Sequence, residues 1–146
     1  MFDFNNKKIN FDDVLIYPKA SRYNSRKEII LDSKINFPKS RVSWTGIPLM
    51  ASNMDFVGTF SMGFKLQKHY ISNAVSKFYT KEEWVQSINE GLNLDYNFLT
   101  FGLDEIKTIS KYISHITSKT NKVPKFLVFD VPNGYIKKFS NVIEIT

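Results

Sequence analysis

The stretch Gly46-Ile47-Pro48-Leu49-Met50-Ala51-Ser52-Asn53-Met54-Asp55-Phe56-Val57-Gly58-Thr59-Phe60 constrains this chain more than any other. Its apolar run, Ile47 to Ala51, has the length of a buried strand and stops at Ser52-Asn53, with Asp55 close behind. A glycine follows, then a threonine suited to cap a helix, then an amphipathic continuation through Phe60, Phe64 and Leu66. A strand therefore hands over to a helix, with hydrogen-bonding side chains at the strand's carboxyl end. In parallel α/β folds ligands bind at that end.

The pattern then repeats. Strands are expected at Pro48–Ser52, Ile71–Ser76, Asn97–Phe101 and Phe126–Val131, with a fifth beginning at Val142–Ile145. Between them lie helical stretches. The first runs from about Thr59 to Lys68. The second opens at the capping box Thr80-Lys81-Glu82-Glu83 and ends at Gly91. The third carries Leu103, Ile106, Ile109, Ile113 and Ile116 at spacings of three and four. A turn at Asn133-Gly134 precedes a short helix over Tyr135–Phe139. Such alternation implies parallel strands with right-handed helical crossovers. Residues 1–45 lack the repeat and read as an arm or cap, with a short hairpin at Ile29-Ile30-Leu31 and Ile35-Asn36-Phe37. Residues 46–146 form the repeating domain. A small doubly wound sheet and part of an eight-fold barrel both fit. The absence of a Gly-x-Gly-x-x-Gly or phosphate-loop pattern counts against a dinucleotide-binding doubly wound domain. A whole barrel needs about 250 residues, and 146 suffice for a little over half.

Composition narrows the partners. Hydrophobic residues at 42% and aromatics at 15% argue for a packed core. The net charge of +6 is scattered rather than striped, which suits attraction of anionic ligands such as nucleotides but not a nucleic-acid groove. The chain has no cysteine, so disulfides and cysteine–metal sites are excluded. His69 and His115 lack ligand spacing and read as surface helix residues, so no metal site is expected. Neither a signal pattern nor a membrane-length apolar run is present, and a cytoplasmic protein is expected.

Three strand ends are polar in the same way: Ser52-Asn53-Met54-Asp55, Ser76-Lys77, and Asp130 with Asn133-Gly134 behind it. In a barrel they would meet on one face. A lysine beside carboxylates can orient a substrate, stabilise developing negative charge or assist proton transfer. Asp55 either caps the following helix or faces a ligand. Lys77 either lies in solvent or joins the site. Asp130 closes the apolar run Phe126-Leu127-Val128-Phe129 and needs a partner there.

These residues carry a resemblance. Asn53-Met54-Asp55-Phe56-Val57-Gly58-Thr59-Phe60 after Gly46-Ile47-Pro48 is similar to the Ala-Asn-Met-Asp-Thr-Val-Gly-Thr-Phe signature of the IMP dehydrogenase/GMP reductase family of barrels. Phe11-Asp12-Asp13-Val14-Leu15, Pro18-Lys19 and Ser25-Arg26 match its amino-terminal arm. Ser76-Lys77-Phe78-Tyr79 with Trp84 resembles its His-Lys-His-Tyr and following tryptophan, and Phe129-Asp130-Val131-Pro132-Asn133-Gly134-Tyr135 its Leu-Asp-Val-Ala-Asn-Gly-Tyr. The Gly-Thr-Phe and Asn-Gly-Tyr endings favour the reductase branch.

The resemblance implies an incomplete (β/α)8 TIM barrel: an amino-terminal arm, about four β-α units and a fifth strand. It implies reductive deamination of GMP to IMP by NADPH. Ser25, Arg26, Lys77, Asp130, Val131 and Pro132 would border NADPH, the first two reaching across a subunit boundary. Lys77 and Asp130 would assist proton movement, and Ser52, Asn53 and Met54 would border the purine nucleotide. Ser76 for histidine and Pro132 for alanine are departures, the second removing a backbone donor. The family's nucleophilic cysteine, its monovalent-cation (K+) loop and its catalytic glutamate follow the fifth strand, so this chain alone is expected to be inactive. A complementing carboxyl-terminal chain or a homo-oligomer, a tetramer in the family, is the expected partner. The alternative is a non-catalytic nucleotide-binding or assembly-modulating relic, or an IMP dehydrogenase-like fragment.

Overall fold

The computed structural model describes residues 10–137 and residue 139. The chain divides into two compact units, Met1–Ile30 and Leu31–Thr146. In the first, two single-turn 3₁₀ helices span Phe11–Asp13 and Arg26–Glu28. Ser25 caps the second of these, its hydroxyl accepting from the Lys27 amide at 3.3 Å.

The second unit is a five-stranded sheet in sequential order: β1 (Ser33–Phe37), β2 (Val42–Ala51), β3 (Ile71–Val75), β4 (Asn97–Phe101) and β5 (Leu127–Phe129). β1 pairs antiparallel with the first half of β2, whereas β2 to β5 pair in parallel. The hairpin expected from Ile29-Ile30-Leu31 therefore forms one step later in the chain, between β1 and β2. Ile29 to Leu31 are not strand, and Arg41 takes up the reversal in the left-handed region at φ 56°. The first parallel strand starts earlier than expected, because Val42-Ser43-Trp44-Thr45 already alternates and pairs with β1.

Three helices fill the crossovers: α1 (Phe60–Leu66), α2 (Lys81–Asn89) and α3 (Ile109–Thr120). Thr59 caps α1 by accepting from the Met62 amide at 3.1 Å. The Thr80–Glu83 capping box opens α2, which gives way to Gly91 at φ +104°. The third helix begins later than its apolar stripe suggests. Leu103 sits in a turn, Ile106–Thr108 is 3₁₀, and α3 proper starts at Ile109.

One core joins all three helices to the same face of the sheet. Val75, Leu99 and Phe101 pack against Trp84 and Ile88 of α2 and Ile109 and Ile116 of α3, with Phe60 and Phe64 of α1 alongside. Strands that never reverse order, with every crossover helix on one face, are winding towards a barrel, since a doubly wound sheet switches direction and carries helices on both faces. On the other face Phe37, Phe98 and Phe126 meet with ring centroids 5.0–5.7 Å apart. The expected fifth parallel strand, Val142–Ile145, lies outside the described residues, as does part of the helix expected over Tyr135–Phe139. No helix among the described residues is long and apolar enough to cross a membrane.

Candidate functional site

The carboxyl ends of β3, β4 and β5 lie side by side, so the polar residues that follow them share one rim. Lys77 follows β3 and Asp130 follows β5. The lysine Nζ donates to Asp130 Oδ2 at 3.2 Å. Asp130 is held by the sheet itself, because its amide donates to the Phe101 carbonyl at 2.9 Å and extends the β4–β5 ladder by one residue. The partner that the carboxylate needs is thus Lys77. With side-chain exposures of 30% and 43%, the pair is open to a ligand. Solvent screening limits its own stabilisation to about 0–1 kcal/mol.

A second link crosses the ends of β2 and β3. The Ser76 hydroxyl donates to Asp55 Oδ1 at 3.2 Å, and the Ser76 amide donates to the Gly58 carbonyl at 2.8 Å. Asp55 is therefore not the cap of α1, a task that Thr59 performs. Its carboxylate instead ties the loop after β2 to the loop after β3. Asn53 is half-buried in that loop, while Ser52 and Met54 are exposed. Val131 is half-buried and Pro132 exposed, and beyond them the Asn133 side chain accepts from the Tyr135 amide at 2.9 Å to close the expected turn.

Beneath the lysine, a pocket of about 100 Å³ is lined by Lys77, Trp84, Thr100, Glu105 and Tyr112, among others. The Tyr112 hydroxyl donates to the Tyr79 carbonyl at 2.7 Å, and burial pushes the phenol far above its ordinary range, with Glu82, Glu83 and Glu105 adding to the shift. Glu105 accepts from the Gly102 amide at 2.6 Å.

The structure thus brings Lys77 and Asp130 into contact and places Ser52, Asn53, Met54, Val131 and Pro132 in the loops that follow β2 and β5. Ser25 and Arg26 lie in the first unit, where Ser25 acts as a helix cap. Sequence reasoning missed Ser76 as a link, and Gly102 and Glu105 as neighbours of Lys77. A glycine directly after an apolar strand, with a carboxylate three residues on, is the signal that was available for the last two.

Comparison with known proteins follows the same outline. No protein-family model matches the chain. It is 38% identical over 135 residues to a GMP reductase from Serratia proteamaculans, a match that covers 90% of this chain and 38% of that protein. It is 36% identical over 139 residues to a GMP reductase from Buchnera aphidicola, covering 94% and 39% respectively. In three dimensions it matches the crystal structure of inosine 5′-monophosphate dehydrogenase from Legionella pneumophila with a TM-score of 0.64 at 21% identity, covering 95% of this chain and 40% of that one. The chain therefore spans about two fifths of the length of the curated relatives it matches. Its resemblance to the GMP reductases runs along nine-tenths of the chain, and its fold is that of a partial barrel.

Proposed function

We propose that this chain forms the dinucleotide- and purine-facing part of a GMP reductase site, in which NADPH reduces GMP to IMP with release of ammonia. The observation that carries the reading is the Lys77–Asp130 pair, 3.2 Å apart and partly exposed at the carboxyl rim of a partial barrel, in a chain 36–38% identical to GMP reductases. The donor set suits a pyridine dinucleotide, with an ammonium for its anionic groups and a carboxylate that keeps that ammonium oriented. When bound, the dinucleotide supplies the hydride.

Each of this chain's own residues has a part in the reading. Lys77 and Asp130 form a charge-paired route for a proton at the rim, with Val131 and Pro132 beside it. Pro132 offers no amide, so dinucleotide contacts at that position fall to its carbonyl and ring. Ser52, Asn53 and Met54 border the purine, their loop fixed by the Asp55–Ser76 hydrogen bond. Ser25 and Arg26 approach the dinucleotide from a neighbouring subunit of a homo-oligomer. No cysteine is present in the chain, so a second polypeptide or segment supplies the nucleophile and the monovalent-cation loop, and this chain alone does not turn over GMP.

NADPH oxidation in the presence of GMP, followed by its absorbance, tests this with the chain alone and then mixed with the carboxyl-terminal part of a related reductase. Activity in the mixture alone supports the proposal, and activity of the isolated chain overturns it. Ser76 and Pro132, standing where the family has histidine and alanine, favour a second reading as a non-catalytic nucleotide-binding relic. NADPH binding without activity in either sample would select that reading.

A further inference from the structure

The contact between Lys77 and Asp130 is not between neighbours in the sheet. Lys77 follows β3 and Asp130 follows β5, while β4 lies between those two strands. The lysine stem therefore passes over the end of β4, and the residue it crosses is Gly102. A Cβ built on Gly102 would lie 3.6 Å from Lys77 Nζ and 3.8 Å from Lys77 Cδ. It would also lie 3.3 Å from Glu105 Oε2, tighter than ordinary contact. A Cβ at Gly102 would thus meet the lysine at ordinary contact distance, and the lysine packs along the Gly102 turn. The turn is pinned, because the Gly102 amide donates to Glu105 Oε2 at 2.6 Å, a short charge-assisted bond. The Glu105 amide returns a hydrogen bond to the Gly102 carbonyl at 3.3 Å, closing the turn.

We propose that Glu105 is a positioning residue for Lys77, holding the Gly102 turn in the one conformation over which the lysine reaches Asp130. The proposal rests on the dinucleotide reading only for its functional consequence, since the geometry is independent of any ligand. It makes Gly102 and Glu105 a single device. The glycine supplies the amide, and the carboxylate keeps its peptide plane from turning into the path of the lysine.

The test is trace acylation of the folded protein with acetic anhydride, comparing Lys77 with the exposed Lys119 of α3 by peptide mass spectrometry. Glu105→Ala is expected to raise relative labelling of Lys77 about fivefold, the equivalent of losing one hydrogen bond of about 1 kcal/mol. Gly102→Ala keeps the backbone donor and is expected to stay within about twofold of the parent. Glu105→Gln retains an acceptor for the Gly102 amide and is expected to stay within about twofold of the parent by the same conversion. NADPH titrations then form a double-mutant cycle, in which Glu105→Ala weakens binding in the parent but adds nothing to Lys77→Ala. Unchanged Lys77 labelling in Glu105→Ala overturns the proposal, and so does a Glu105→Gln variant as reactive as Glu105→Ala. Where Glu105→Ala does not fold, Glu105→Leu, which also removes the acceptor, decides by the same measurement. A parent protein that binds no NADPH would refute the dinucleotide reading and leave the labelling result standing.

Discussion

Gly63→Ala is the substitution whose outcome separates helix propensity from packing most sharply. Gly63 lies within α1 and is the only described residue of that helix that is buried. On propensity alone, alanine in a helix interior gains about 1 kcal/mol over glycine. The surroundings oppose this. A Cβ there would collide with the Asn97 amide oxygen and stand 2.9 Å from Asn97 Cγ and 3.0 Å from Asn73 Nδ2. Both asparagines are almost fully buried, and they are hydrogen-bonded to each other at 3.2 Å. Asn73 also donates to the Thr59 carbonyl at 3.1 Å, and Asn97 to Gln67 Oε1 at 3.1 Å and the Asn93 carbonyl at 3.0 Å. Displacing the Asn97 amide leaves a buried donor unpaired, at about 1–3 kcal/mol, and overpacking adds about 1–3 kcal/mol more. The expected balance is a loss of about 1–5 kcal/mol, or a fall in Tm of roughly 3–15 °C at about 3 °C per kcal/mol. Urea unfolding followed by circular dichroism measures it. A Gly63→Ala variant as stable as the parent, or more so, would refute the packing argument. Asn97→Ala clears the obstruction, so the double variant should cost less than the sum of the two.

Further outcomes follow from the caps and the buried hydrogen bonds. Thr80→Ala should cost about 1 kcal/mol through loss of the α2 cap. Hydrogen bonds from the Thr80 amide, chiefly, and from its hydroxyl hold Glu83 below the ordinary 4.5. Its stabilisation is therefore present above pH 4.5 and lost as the pH falls through the lower folded value, and Glu83→Gln should flatten that part of the acid unfolding curve. Tyr112 shifts the other way, so its contribution is complete below its ordinary value of 10.0 and lost as the pH rises beyond it. Tyr112→Phe should accordingly unfold less steeply in alkali, while losing about 1 kcal/mol at neutral pH for the hydrogen bond to the Tyr79 carbonyl. Trp44→Phe removes the 2.9 Å bond from the indole to the Asp95 carbonyl. It should cost about 1–3 kcal/mol in urea denaturation, and a neutral result would show that the bond does not hold the β1–β2 hairpin to the loop before β4.

Local signals carried much of the fold. β4 lies at Asn97–Phe101, as its apolar run predicts, because all five residues are buried and only a strand of that length fits between two neighbours. α2 was legible from Thr80 and Glu83, whose mutual bonds depend on nothing outside the turn. Features that depend on distant partners were harder to read. The early start of β2 needs β1 beside it, and Leu103 leaves the helical stripe because Glu105 draws the Gly102 turn closed. At the site, a carboxylate at position 130 demanded a partner, and Lys77 meets that demand. The use of Asp55 was not legible, since Thr59 takes the cap and the Ser76 hydroxyl comes from another strand. Gly102 became meaningful only once the strand order put it under the lysine.

The two tryptophans stand on opposite sides of the sheet. Trp44 lies against Tyr96 on the hairpin side, and Trp84 in α2 meets Phe60 edge-on at 5.0 Å among the helices. Both indoles are shielded, at 7% and 2% exposure. The chain therefore carries two built-in optical reporters, one for each sheet face. With either indole replaced by phenylalanine, red-shifted emission from the other would time the release of the hairpin or of the helical layer separately, showing whether this partial barrel opens all at once or one layer at a time.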